Sequence, residues 1–232
     1  FQTRRGCALD CSYCSTATIE GHLLRQRSAA AVVAELTRWV AAGFDRVYFV
    51  DNTFNLPPSY ALELCRRLAE ASLNITWRCI FYPNKISADL VKAMAGAGCC
   101  EVSMGFESGD NDMLQTFNKR FDTNDIRRAN KILADCGIRR MGFLMLGGPG
   151  ETRESVMRSF DFVESLHLDA LKITRGIRIY PHTRLAKTAV EEGLIRADDD
   201  LLFPRFYMVE ELEEWIETYV GARAKDRPNW FC

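Results

Sequence analysis

From Ser28 to about Thr183 the sequence alternates short β-rich runs with amphipathic segments, and this alternation restricts the fold more than any other feature. Val32, Val33, Leu36 and Val40 recur at helical spacing behind Ser28, which can cap the first turn, and Gly43 suits the exit. "RVYFVDN" then reads as a buried strand ending at Asp51. A helix from about Pro58, with Ala61, Leu64, Leu68 and Ala71 on one face, leads into the strand "ITWRCIFY". Ser87 caps a shorter helix bearing Leu90 and Met94, which ends near Gly96 and Gly98. "EVSMGF" is the next strand and runs into "ESGD"; Ile126, Ala129, Leu133 and Cys136 mark the helix after it. "RMGFLML" stops at "GGPG", and Val156, Phe160 and Val163 face inward from the following helix. The last strand lies between "LDALKIT" and "IRIY", closed by "PHT"; one more at "FQTRR" brings the count to six.

Parallel strands joined by right-handed crossovers curl toward a barrel or an open doubly wound sheet. In both, ligands gather at the carboxyl ends of the strands, where "RRGC", "DNT", "ESGD", "GGPGE" and "YPHT" stand. Beyond Thr183 the pattern changes to a helix through Ala189, an acidic "DDD" and the apolar-faced "FYMVEELEEWIETYVGARA". The expected organisation is a core over residues 1–183 and a helical extension over 184–232 packed on it. The first residue is Phe1, not Met, so an upstream domain is expected to lie outside this sequence.

Thirty basic residues nearly balance 31 acidic ones, which argues against nucleic acid as a partner. Arg4, Arg5, Arg25 and Arg27 are local basic groups, and Lys119 and Arg120 read as ordinary solvated surface. With no leader-like segment and no apolar run long enough to span a bilayer, a cytoplasmic protein is expected. Nine cysteines is an odd count for a disulfide framework.

Three of them, Cys7, Cys11 and Cys14, crowd into "RRGCALDCSYCSTATIEG". A cubane cluster has four irons to ligate, so three thiolates leave one iron open for a small molecule. A zinc site would need a fourth ligand, for which His22 is the nearest imidazole, and a structural zinc-binding or non-catalytic module stays open as an alternative. Cys65, Cys79, Cys99, Cys100 and Cys136 fall within or at the ends of strands and helices and read as buried small hydrophobes.

The spacing Cys-x-x-x-Cys-x-Tyr-Cys resembles the signature of the radical S-adenosylmethionine (SAM) superfamily. That resemblance implies an α/β fold, a partial (βα)6 TIM-like barrel, with a 4Fe–4S cluster on Cys7, Cys11 and Cys14. It further implies reductive cleavage of SAM to a 5'-deoxyadenosyl radical that abstracts a substrate hydrogen. Tyr13 belongs to the same motif. By position, Asp51, Asn52 and Thr53 stand where the superfamily accepts the SAM ammonium, although the usual Gly-Gly-Glu is replaced. Glu107 and Ser108 match the ribose contacts. Gly142, Leu144 and Gly147 match the strand that lies against adenine, and Arg178 is placed to meet the SAM carboxylate.

"TRRGC", "CSYCS", "DN-x-F", "GFESG" and "IYPHT" are most similar to the radical SAM domains that follow a cobalamin-binding domain. No Asp-x-His-x-x-Gly motif is present, so cobalamin would be held by a domain outside this chain. The partners implied are a small-molecule or natural-product substrate and a reductant such as flavodoxin or ferredoxin.

Overall fold

A computed structural model describes residues 1–232. Strands β1 (Arg4–Arg5) and β2 (Arg25–Gln26) form an antiparallel pair that brackets the cysteine loop and the short helix α1 (Thr16–Glu20). Next come α2 (Ala29–Ala41), β3 (Arg46–Phe49), α3 (Pro58–Glu70), β4 (Thr76–Phe81), α4 (Ala88–Gly96) and β5 (Cys99–Glu107). Two helices, α5 (Asn111–Thr116) and α6 (Thr123–Asp135), precede β6 (Arg139–Leu146), α7 (Arg153–Ser165) and β7 (Ala170–Arg175). The chain ends with β8 (Ile177–Arg178), α8 (Arg184–Glu191), β9 (Phe206–Tyr207), α9 (Glu213–Ala224) and β10 (Trp230–Phe231).

The helix signals hold at the level of single residues. The Ser28 hydroxyl accepts from the Ala31 amide 3.2 Å away, and the Ser87 hydroxyl accepts from Asp89. Asp122 and Asp125 form a reciprocal capping box on α6, which no sequence signal had placed there.

The main sheet has six strands in the order β10-β7-β6-β5-β4-β3, and every registered pair within it is parallel. Strands β3 to β7 sit in sequential order with their helices on one face. Phe49, Trp77, Cys79, Val102, Met104, Phe106, Leu144, Leu171 and Ile173 pack there with residues of α2, α3, α4, α6, α7 and α9 in one core of 41 buried residues. Helices on one face only separate a barrel from a doubly wound sheet, which needs them on both. Strand pleating turns the alternate residues, Tyr48, Arg78, Glu101, Ser103, Gly105, Met141, Phe143 and Lys172, to the opposite, concave face. That face is the lumen of the partial barrel.

Three details differ from the sequence reading. "FQTRR" does not join the sheet as a full strand: only Phe1 pairs with β3, donating to Tyr48 O and accepting from the Val50 amide. The sixth strand is instead β10 at the far edge, so the tail is not purely helical. The last predicted strand is broken at Gly176 (φ +71°), and β8 leaves the sheet to pair antiparallel with β9. No helix is long and apolar enough to cross a membrane.

Candidate functional site

The cysteine loop closes over the carboxyl ends of the strands and is fixed first at its entry. Gly6 has φ +96°, and a Cβ on it would fall 2.2 Å from Leu23 O, so only glycine fits. Its amide donates to Glu20 Oε2 at 3.0 Å, and the same oxygen accepts from Asn52 Nδ2 at 2.8 Å. Asn52 also donates to Gly6 O, and the Cys7 amide to Gly21 O. Asn52, expected near the SAM ammonium, thus anchors the start of the loop from β3. Glu20, its partner, carries no motif that the sequence reading could use.

Asp51 is fully buried beside it. Its carboxylate accepts from the Thr3 amide (2.7 Å), the Thr3 hydroxyl (2.5 Å) and the Arg4 amide (3.1 Å), and its Oδ2 lies 3.4 Å from Arg4 Nε. The Arg4 guanidinium donates to Phe54 O and Leu56 O and covers the Tyr60 ring at 4.6 Å. Burial pulls the Arg4 pKa down, against the opposing pull of Asp51. Thr53 is buried in the same turn.

Cys7 is buried, Cys11 and Cys14 are half-buried, and all three are free thiols. Burial raises the Cys7 and Cys11 pKa values; the neighbouring sulfurs raise them further, while Lys119 lowers that of Cys11. No three His, Cys, Asp or Glu side chains converge tightly enough to hold a single metal ion. Three free thiols on one loop form a soft, all-sulfur donor set of the kind that holds an iron–sulfur cluster.

Opposite the loop, β5 ends in a bulge between Met104 and Glu107, and Glu107 takes φ +72°. A left-handed glutamate is a costly conformation held in place by its surroundings. Gly105 provides the room: a Cβ there would lie 2.9 Å from Glu107 Oε1. The carboxylate is 3.6 Å from Lys119 Nζ, and burial raises its pKa against the opposing pull of Lys119 and Tyr13. Lys119 is not solvated surface; its side chain is 4% exposed. It donates to Tyr13 Oη at 2.9 Å and Gly105 O at 3.0 Å. Arg120 does face solvent, paired with Asp10. Burial and the adjacent Glu107 push the Tyr13 pKa up, so the hydroxyl stays protonated.

The remaining candidates lie further from this cluster. Ser108 Oγ is taken up by Ser159 Oγ (3.0 Å) and the Asp110 amide, which ties the end of β5 to α7. Leu144 packs in the core on the helix side, and a Cβ on Gly142 would strike Leu168 and Phe106. Gly142 therefore serves close packing behind the sheet. Gly147 (φ +88°) forms the turn after β6 under Met208. Its amide and that of Gly148 donate to the buried Glu151. Burial raises the Glu151 pKa to about 7. Arg178 is exposed on β8, its guanidinium over the Tyr180 ring. The structure thus brings together Cys7, Cys11, Cys14, Tyr13 and Glu107, with Asn52 holding the loop entry. It adds Lys119 and Glu20.

A family model described as the radical SAM superfamily matches residues 2–163. An uncharacterized methyltransferase of Pyrococcus horikoshii is 30% identical over 83% of this chain and 42% of its own. The tryptophan 2-C-methyltransferase of Streptomyces laurentii is 25% identical over 82% of this chain and 34% of its own. Among solved structures, the radical SAM methyltransferase TsrM of Kitasatospora setae, with cobalamin and a 4Fe–4S cluster bound, superposes with a TM-score of 0.78. It is 24% identical, and the match covers 82% of this chain and 39% of that one. At this identity the structural match speaks for the fold. The chain spans about two fifths or less of these proteins.

Proposed function

The chain belongs to the radical SAM superfamily, and from that membership we propose that it is the radical-generating core of a SAM-dependent enzyme, with Cys7, Cys11 and Cys14 as cluster ligands. The observation that carries this reading is the three free thiols in one loop at the carboxyl ends of the strands, facing a buried Glu107. When bound, a 4Fe–4S cluster supplies the electron that splits SAM into methionine and a 5'-deoxyadenosyl radical able to take a hydrogen atom from a substrate.

The chain's own residues hold and shield that chemistry. Gly6, Glu20 and Asn52 fix where the loop begins. Glu107, kept in the lumen by its bulge and by Gly105, offers a carboxylate to the ribose hydroxyls. Lumen residues such as Met141 and Phe143 present apolar surface that keeps water from a radical. The reaction class proposed for the whole protein is methyl transfer, with cobalamin held by a domain outside these residues. The names of the relatives support it. A small-molecule or natural-product substrate and a flavodoxin- or ferredoxin-like electron donor complete the proposal.

Anaerobic reconstitution with iron and sulfide tests the reading: about four irons per chain and dithionite-dependent 5'-deoxyadenosine from SAM are expected. Cys11→Ala should lose both while keeping its circular dichroism. Stoichiometric zinc with no iron after anaerobic work would overturn it.

A further inference from the structure

The stretch that follows α5 is bound to the cysteine loop at every one of its residues. The Ser12 amide donates to Phe117 O at 3.1 Å, and Asn118 Nδ2 donates to Asp10 O at 2.9 Å. Lys119 Nζ donates to Tyr13 Oη at 2.9 Å, and Arg120 pairs with Asp10 at 3.1 Å. The Tyr13 ring meets Phe117 edge-on at 5.6 Å, and Asn118 takes φ +55° to bring these groups to one side. The neighbouring Arg120 amide is held by the Tyr82 hydroxyl, so the stretch is itself braced from β4.

Lys119 is the centre of this arrangement. Its ammonium has three protons: one goes to Tyr13 on the loop, one to Gly105 O on β5, and the remaining direction faces Glu107 3.6 Å away. It is buried within an aromatic surround, 5.3 Å from the Tyr13 ring centre and 5.9 Å from that of Phe121. A buried ammonium is retained only where charge and hydrogen bonds compensate its desolvation, and here the compensation comes from two different elements at once.

We propose that Phe117–Arg120 is a clamp for the cysteine loop and that Lys119 is its positioning residue, holding the loop and Glu107 in one frame through the Tyr13 hydroxyl. The clamp's relevance to catalysis rests on the function proposed above, whereas its mechanical part does not. A second consequence is electrostatic: Lys119 sets its ammonium against Tyr13, which lies between Cys11 and Cys14 in the loop.

The test compares the wild-type 232-residue chain with Lys119→Met, Lys119→Arg and Tyr13→Phe. Hydrogen exchange of the apo-protein reads the loop directly. Lys119→Met should speed exchange in the peptide covering Cys7–Cys14 roughly tenfold, leaving β6 and α6 unchanged, because a charge-assisted hydrogen bond is lost locally. Lys119→Arg should recover most of the protection, and Tyr13→Phe should fall between. In reconstituted protein, Lys119→Met should also move the midpoint potential to more negative values, with Lys119→Arg restoring it.

Loop exchange in Lys119→Met within about twofold of wild type would overturn the proposal, as would an equal increase in β6 and α6. If Lys119→Met does not fold, Tyr13→Phe decides alone, since it keeps the buried cation and removes only its hydrogen bond to the loop. Failure of the wild type to take up iron would overturn the proposed function, while the exchange result would still judge the clamp.

Discussion

Replacing Glu151 with Gln should change how stability depends on pH, because Glu151 is a carboxyl that the fold holds at some cost. It is 4% exposed; Oε2 accepts from the Gly147 and Gly148 amides, and Oε1 has no partner. Burial is the main cause of its raised pKa, only partly offset by the two amides, while Asp110 raises it further. A carboxyl moved from 4.5 to about 7 binds its proton more tightly in the folded chain than in the unfolded one. Stability is therefore lost as pH rises from the unfolded value through the folded one, and levels off above it. The whole displacement is worth about 3 kcal/mol. Roughly 2.5 kcal/mol of that falls between about pH 5 and about pH 8.

Urea unfolding of the apo-protein at those two pH values, for wild type and Glu151→Gln, measures the effect as a difference. All other titrating groups then cancel. The variant should gain on the wild type by about 2–3 kcal/mol at the higher pH. A gap that stays constant within about 0.5 kcal/mol would refute the argument, and Glu151 would then have an ordinary carboxyl pKa in the fold.

Gly6→Ala should cost about 1–3 kcal/mol through strain at φ +96° and the clash with Leu23 O, and should lower iron retention after reconstitution; unchanged iron per chain would contradict the anchoring role given to Gly6. Asp51→Ala leaves Arg4 buried without its carboxylate and should destabilise the apo-protein by about 3–5 kcal/mol in urea unfolding. A loss under about 1 kcal/mol would mean that the Arg4–Asp51 pair does not hold the N-terminal stretch to β3.

The parts of the fold that were legible in the sequence are those whose signal is local. Helical spacing at Val32, Leu36 and Val40 and at Ile126, Ala129 and Leu133 places helices correctly, because burial of one face dictates the period. The three thiols were legible because their spacing is itself the motif. β10 was not, since two residues carry no periodicity and pair only because α9 returns the chain to β7. Lys119 was misread for a related reason. Nothing in "NKRF" separates a buried lysine from a solvated one; its partners Tyr13, Gly105 and Glu107 come from other parts of the chain. Gly142 was read as room for a ligand, yet the space its missing side chain leaves belongs to Phe106 and Leu168 behind the sheet. A strand's sequence does not say which face its glycine serves.

The bonds that shape the cysteine loop also set when it can form. Asp10 pairs with Arg120 and Arg184, 110 and 174 residues away, and the Ser12 carbonyl accepts from the Leu185 amide. Contacts at such separation arise late, after the intervening chain has been drawn together. The cysteine loop is thus among the last parts of these residues to take its final shape. Under the proposed function, a cluster on Cys7, Cys11 and Cys14 would then be completed only after the barrel has folded and α8 has docked against the loop.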